Sequence, residues 1–399
     1  MSIRIMHVDL DAFFVEVCRK HQPELRDVEL LIVGGRHDSR GVVQSASYGA
    51  RRFGVRSGMP IAQAARLCPT ATFVRGEFAN YRDASHQVQE VLERHAPMAT
   101  MTGLDEGYLD FSGTDLLHPV SLLDVAEQIH DDVRETSGLH CSIGIGPNRM
   151  IAKIASDYAK PRGICEVRAG WEQGFVAGLP LAALPGIGPK TTKRFADRGL
   201  VDVAQVQAMP MAELVALVGR EEAAVLARRA EGHGGMVLRA HGPAKSVSRE
   251  TTFRRDVSSA EELDRVLLFL VARVAGQLRD EGLVAGAVVL KLRHGDFTTV
   301  TRQTTLKVPT ALDLELLAPA RRLLKPAVAE ARRRGQGIRL LGIGTTRLVA
   351  SEAPDLFEAD DRKRRREVTG AVDAVRAKYG FDAMKSGRLV KRRQDPPAE

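Results

Sequence analysis

The sequence predicts a multidomain α+β protein, and three observations carry that reading. At 399 residues the chain can hold about two to four domains of ordinary size. Up to about residue 165, short apolar runs alternate with stretches of helical periodicity, whereas residues 172–235 hold only Ala- and Leu-rich helical stretches punctuated by Pro and Gly. From Ser246 to Leu348 the signals follow the order β-α-β-β-α-β, which makes a sheet with helices on one face.

Each element has a local cause. Ile3–Val8 is a short, mostly apolar run that reads as a buried strand, and after Asp9-Leu10-Asp11 the stretch Ala12–Val17 opens a helix, with Asp11 expected as its cap. Glu29–Gly35 is a second strand ending in Gly34-Gly35, and Gly41–Pro60, rich in small residues, reads as a strand turning into a short helix. Asn80–His95 and Ser121–Thr136 have helical periodicity, while Gly107–Phe111 and His140–Ile145 are strand-like. Ala240–Lys245, containing His241-Gly242-Pro243, reads as a linker. Beyond it the sequence predicts strands over Ser246–Phe253, Ala285–Arg293, Thr298–Leu306 and Ile338–Leu348, with helices over Ala260–Glu281 and Ala311–Glu330. Residues 351–399, acidic and then strongly basic, are expected to be flexible apart from an amphipathic helix near Glu367–Tyr379.

Composition narrows the class. The chain is 44% hydrophobic and 27% charged, as soluble globular proteins are, and no run approaches the roughly 18 apolar residues of a membrane span. Arg4 and Asp9 interrupt the first ten residues, which do not read as a signal peptide, so a cytoplasmic location is expected. Cys18, Cys68, Cys141 and Cys165 are scattered with no C-x-x-C pair, the pattern of small buried residues rather than of a zinc or disulfide framework. The net charge of +8 is segregated: residues 1–239 hold 27 Lys and Arg against 29 Asp and Glu, residues 240–350 hold 19 against 11. A basic carboxyl-terminal part on a neutral remainder points to a polyanionic partner, most simply nucleic acid.

Two carboxylate clusters lie almost a hundred residues apart, Asp9-Leu10-Asp11 at the end of the first strand and Asp105-Glu106 between Gly103 and Gly107. Neighbours on a regular strand point to opposite faces, so Asp105 and Glu106 can serve one site only where the chain turns. A carboxylate at a strand end facing two at a hairpin tip would suit a pair of hard cations, which take oxygen ligands and leave positions open for phosphate.

The surrounding residues carry a family likeness. His7–Val17 resembles the first motif of the Y-family, or translesion, DNA polymerases, and Leu104–Asp110 resembles their second carboxylate motif. Arg40–Val43 running to Ser47–Pro60, and Cys141–Asn148 running through Ala152–Asp157 to Lys160–Gly163, match as well, in the family's order and covering about residues 3–350. The resemblance implies a right-handed arrangement: an α/β palm (1–10 and 78–165), small fingers (11–77), an all-helical thumb (166–239) and, past the linker 240–245, a little finger (246–350) ahead of the basic tail 351–399. It implies template-directed, low-fidelity addition of deoxynucleotides to a primer 3′ end, with no proofreading and with damaged template tolerated.

Carried over position by position, Asp9, Asp105 and Glu106, with the backbone carbonyl of Leu10, would hold two Mg²⁺ ions, for which Mn²⁺ could substitute. Ser45, Tyr48, Arg51 and Lys160 would surround the triphosphate, where Arg offers a planar fork and Lys a mobile charge. Phe13 and Phe14 would lie at the nucleotide, with Phe14 as the steric gate against a ribose 2′-hydroxyl. Leu184-Pro185-Gly186-Ile187-Gly188-Pro189-Lys190 resembles a helix-hairpin-helix, in which Gly186, Gly188 and Lys190 would meet a DNA phosphate. Ser246, Arg249 and Arg339 would touch the duplex backbone, to which the basic segment adds salt-sensitive affinity.

The chain departs from the family pattern in places. Gly103 stands where Ser is usual, and Gln44 is larger than the small residue expected over the templating base. The sliding-clamp motif is represented only by Asp355-Leu356-Phe357, without its Gln. Partners implied are primer-template DNA, an incoming dNTP and, through that degenerate motif, a sliding clamp, with the protein acting as a monomer and no membrane involved. Two rivals are a two-metal nuclease, which would not need Phe14 or the phosphate cradle, and a catalytically silent relative, against which the intact acids argue.

Overall fold

A computed structural model of the chain describes residues 4–114, 121–238, 242, 244–351, 360–384 and 387, in two compact units that divide at His241/Gly242. In the first unit β1 (Ile5–Leu10) is buried along its whole length. Burial on both faces fits its mostly apolar sequence, which His7 and Asp9 interrupt. It leads into α1 (Phe13–His21). A three-stranded sheet follows, built from β2 (Leu31–Val33), β3 (Ser45–Ala46), the helices α2 (Tyr48–Arg52) and α3 (Ile61–Leu67), and β4 (Thr72–Val74), in the order β3-β2-β4.

The chain then supplies α4 (Phe78–His95), β5 (Met98–Met101), β6 (Glu106–Asp110), α5 (Leu122–Ser137), β7 (Cys141–Gly146), α6 (Arg149–Tyr158) and β8 (Ile164–Glu166). With β1 these strands form a five-stranded sheet ordered β5-β6-β1-β7-β8, so the first strand of the chain ends up in the middle. Met6, Val8 and Leu10 join the core made with α1, α4 and α5. Ile5 packs instead with Tyr108 and Ala152 of α6, which places the alternate residues His7 and Asp9 on the α6 side. Gly144 lets α6 press against the sheet: a Cβ there would lie 2.0 Å from the Ala152 carbonyl oxygen.

Five short helices complete this unit: α7 (Glu172–Ala177), α8 (Pro189–Ala196), α9 (Val203–Ala208), α10 (Met211–Val218) and α11 (Arg220–Ala230). Their core, around Phe195, Leu200, Val203, Leu214 and Leu226, is shared with Met150, Ile151 and Ile154 of α6.

The second unit holds β9 (Ser246–Val257), α12 (Ala260–Asp280), β10 (Leu283–His294), β11 (Thr299–Thr310), α13 (Asp313–Arg333) and β12 (Ile338–Ala350). The antiparallel sheet is ordered β11-β10-β12-β9, and α12 and α13 pack on one face. A two-pronged ion pair from Arg321 to Asp264, 2.6 and 2.7 Å, ties the two helices together. Among the described residues no helix is long and apolar enough to cross a membrane.

The tail differs from expectation. Its helix α14 (Asp360–Tyr379) begins well before Glu367, and it buries no residue of its own. Charged side chains fasten it instead. Arg279 of α12 reaches both Asp373 (2.5 and 2.9 Å) and Asp313 (3.0 Å), and Arg362 pairs with Glu315. Just past the helix, Phe381 packs edge-on to Phe269. These contacts lie too far apart along the chain for local patterning to reveal them. Arg279→Ala leaves two carboxylates facing each other without their cation, at a cost of about 3 kcal/mol. The variant should therefore show protease cleavage within 360–384 and a lower unfolding midpoint; cleavage at the parent's rate would mean that the fork does not hold the helix.

Candidate active site

The acids meet through strand register. Asp9 near the end of β1 lies directly across from Glu106, the first residue of β6, and from Ser142 on β7. Asp105 sits in the turn between β5 and β6, and its carbonyl accepts a 2.8 Å hydrogen bond from the Leu10 N–H. The turn thus brings Asp105 to the same end of the sheet as Asp9 while Glu106 stays in the ladder.

Their charges are answered by lysines and a histidine. Lys160 lies 2.8 Å from Asp9 and 2.7 Å from Asp157. Lys153, projecting from α6, pairs closely with Glu106, and His7 Nε2 stands 3.5 Å from the same carboxylate. His7 Nδ1 is fixed by Ser156 at 2.7 Å. Burial pushes the Asp9 carboxyl above the ordinary range, with Lys160 opposing. Burial and then the neighbouring Glu106 do the same to Asp105. Glu106 is held well below that range by His7 and, against its own burial, by Lys153. His7 itself is pushed down by burial, with Glu106 opposing. Among the described residues no three acidic, His or Cys side chains close around an ion. Even so, the donor set suits a hard cation: the candidate ligands are oxygens, Asp9 and Asp105 open into a cavity, and the Lys160 ammonium already places a positive charge against Asp9.

That cavity, about 620 Å³, is lined by Asp9, Leu10, Phe13, Phe14, Ser45, Tyr48, Arg51, Asp105 and Lys160, together with Gln44, Arg56 and Ser57. Sequence reasoning missed Arg56 and Ser57, as it missed the charge partners His7 and Lys153. Glu106 is not among the lining residues, being turned to Lys153. The N-cap of α2 is Ser47, whose hydroxyl accepts from the Ala50 N–H and donates to the Glu29 carbonyl. This cap aims Tyr48 and Arg51 from one short helix. Arg51 is steadied by the Ala46 carbonyl at 3.0 Å and lies 5.0 Å above the Tyr48 ring.

Phe13 and Phe14 take different places. Phe13 is fully buried in the core of the five-stranded sheet, whereas Phe14 is only partly buried and lies at the rim of that core. Tyr81 of α4 braces both, its ring 4.8 Å from Phe14 in an edge-to-face contact. Asp11 does not cap α1. The N-cap is Ala12, in the left-handed region at φ 47° and without a side-chain cap bond, and the Asp11 carboxylate is engaged elsewhere.

The DNA-contact candidates are spread over both units. Gly186, at φ 86°, and Gly188, the N-cap of α8, are exposed with Lys190 at the start of that helix, and only a 3-10 turn, Leu181–Ala183, precedes the loop. In the second unit Ser246 pairs with Thr346 on the sheet face away from the helices. Arg249 does not share that face. Its partner is Ile343, a core residue, so Arg249 emerges on the helix side of the edge strand β9. Arg339 lies against the exposed Phe297 ring at 4.4 Å, next to a register shift. The open face also carries Lys291 and Arg293 of β10, cations the sequence did not single out. Asp355-Leu356-Phe357 lies outside the described residues.

Comparison with known proteins identifies the family. Residues 8–157 match the impB/mucB/samB family and residues 244–356 its C-terminal domain. A DNA polymerase IV of Dehalococcoides mccartyi strain CBDB1 is 39% identical over 393 residues, covering 98% of this chain and 99% of the relative. A DNA polymerase IV of Caulobacter vibrioides is 36% identical over 394 residues, 98% and 95% of the two chains. Among solved structures, a Y-family DNA polymerase chimera of Dbh and Dpo4 superposes with a TM-score of 0.74 at 22% identity, over 87% of this chain and 100% of that one. An insertion ternary complex of Dbh DNA polymerase gives a TM-score of 0.59 at 22% identity, over 87% and 100%. The chain belongs to the impB/mucB/samB family, the Y-family DNA polymerases.

Proposed function

We propose that this polymerase adds deoxynucleotides to a primer 3′ end opposite intact or damaged template, using two Mg²⁺ ions held by Asp9, Asp105, Glu106 and the Leu10 carbonyl, at low fidelity and without proofreading. The observation that carries the reading is the single cavity in which two carboxylates, the donors Ser45, Tyr48, Arg51 and Lys160, and the ring of Phe14 meet. The ions would lower the pKa of the primer hydroxyl and neutralise charge at the transferring phosphoryl group. The protein's own share is placement. Arg51 and Tyr48 from α2 and Lys160, whose ammonium reaches Asp9, stand where phosphates bound beside that carboxylate would need donors. The open face of the four-stranded sheet, with Ser246, Lys291 and Arg293, offers polar and cationic groups to a duplex backbone without reading bases.

A primer-extension gel with Mg²⁺ tests the reading directly. Stepwise lengthening is expected, and shortening of the primer would favour the nuclease alternative. Arg51→Ala should raise the KM for dNTP roughly tenfold or more, the loss of one charge-assisted hydrogen bond. An unchanged KM would remove Arg51 from the triphosphate site.

A further inference from the structure

Asp11, in neither the metal set nor the phosphate cradle, is a carboxylate only 4% exposed, and three donors converge on its two oxygens. Tyr48 Oη donates to it at 2.8 Å, Ser142 Oγ lies 3.1 Å from each of its oxygens, and the Arg162 N–H donates at 2.8 Å. Its own N–H is held by the His140 carbonyl at 2.9 Å. What these partners belong to matters more than their number. Tyr48 begins the helix that carries Arg51, Arg162 follows Lys160 by two residues, and Ala12, next to Asp11, makes the left-handed turn that opens the helix carrying Phe14.

We infer that Asp11 is a positioning residue that assembles the incoming-nucleotide subsite, clamping together the segments that carry the sugar-facing ring, the triphosphate helix and the Lys160 loop. The inference rests on the cradle reading proposed above. A phenol has one proton to donate, and here Asp11 receives it. Burial, then the bond to Asp11, raises the Tyr48 phenol, which therefore remains a donor. A phosphate oxygen arriving beside Arg51 competes for that proton, so nucleotide binding exchanges the Tyr48 partner while the Arg162 and Ser142 bonds keep the segments in register.

Asp11→Asn tests this, because a carboxamide has a single acceptor oxygen and cannot satisfy both the Tyr48 side and the Arg162 N–H. The variant should raise the KM for dNTP roughly tenfold and weaken deoxy-over-ribo discrimination several-fold, with kcat at saturating nucleotide changed much less. In a Tyr48→Phe background the same change should raise KM less than it does in the parent. Ser142→Ala removes one donor from Asp11 but leaves the Tyr48 and Arg162 bonds, so it should raise KM less than Asp11→Asn does. Should Asp11→Asn not fold, 3-fluorotyrosine in the parent chain gives a second reading: the Tyr48 fluorine signal, assigned through Tyr48→Phe, should shift when dNTP and Ca²⁺ are added. An Asp11→Asn enzyme with parental KM and sugar ratio, full additivity with Tyr48→Phe, or an unmoved fluorine signal would each overturn the inference. If Arg51→Ala and Tyr48→Phe both leave KM untouched, it is the cradle reading that fails.

Discussion

Asp105→Asn should abolish most nucleotide addition, by about 10³-fold, while the melting temperature stays level or rises. On the two-ion proposal, the activity loss follows from removing a carboxylate that would hold an ion beside the reacting phosphates: several kcal/mol of charge stabilisation would depend on it, and about 4 kcal/mol is a thousandfold in rate. The stability side follows from electrostatics. Burial and the adjacent Glu106 raise the Asp105 carboxyl above its usual value. A carboxyl whose folded pKa exceeds its unfolded one costs stability at neutral pH, because ionising it is harder in the fold than in the free chain. Replacing it with a neutral isostere removes that cost. Asp9→Asn should behave alike, since Lys160 keeps Asp157 at 2.7 Å when Asp9 loses its charge. The opposite pattern, near-normal extension with a lowered melting temperature, would make both acids structural. Primer extension and thermal unfolding on the same preparations separate the two.

The same residues show what the sequence could and could not reveal. β1 was legible because a strand buried on both faces is mostly apolar, and the carboxylates Asp9 near its end and Asp11 just beyond it then stand out. The turn at Asp105 was legible from Gly103, although Gly107, expected to close it, lies inside β6, and the order of strands and helices in the second unit was legible from period alone. The charge partners of the acids were not. Lys153 meets Glu106 across 47 residues of sequence and His7 meets it from the neighbouring strand, and neither position differs in type from an ordinary helix lysine or core histidine. Asp11 was misjudged because an acid ahead of a helix is usually its cap. Here Ala12 takes the left-handed turn, and the carboxylate is drawn to donors that lie 37 to 151 residues away. The face expected for Arg249 was wrong for a simpler reason: on a strand a shift of one residue changes the face, and only the pairing with Ile343 reveals which face is which.

Phe14→Ala should raise ribonucleotide incorporation by about 10²- to 10³-fold relative to deoxynucleotide, a repulsion of roughly 3–4 kcal/mol removed. The structure separates this effect from simple loss of core. Phe13 is 1% exposed and packed among the strands and helices of the sheet core, so Phe13→Ala is the change that should cost about 3–5 kcal/mol of stability and depress both sugars together. Phe14 lies at the rim with one side on Tyr81 and another on the cavity, so its truncation leaves less void and less lost packing. Selectivity would then come from a ring held in place, which a deoxyribose could pack against and a 2′-hydroxyl could not pass. Tyr81 supplies the holding, and its hydroxyl is itself fixed by Cys18 at 3.2 Å. Melting temperatures and ribo/deoxy efficiency ratios measured for both phenylalanine variants decide the matter. A folded Phe14→Ala enzyme with the parental ratio would show that the ring merely fills space beside the nucleotide.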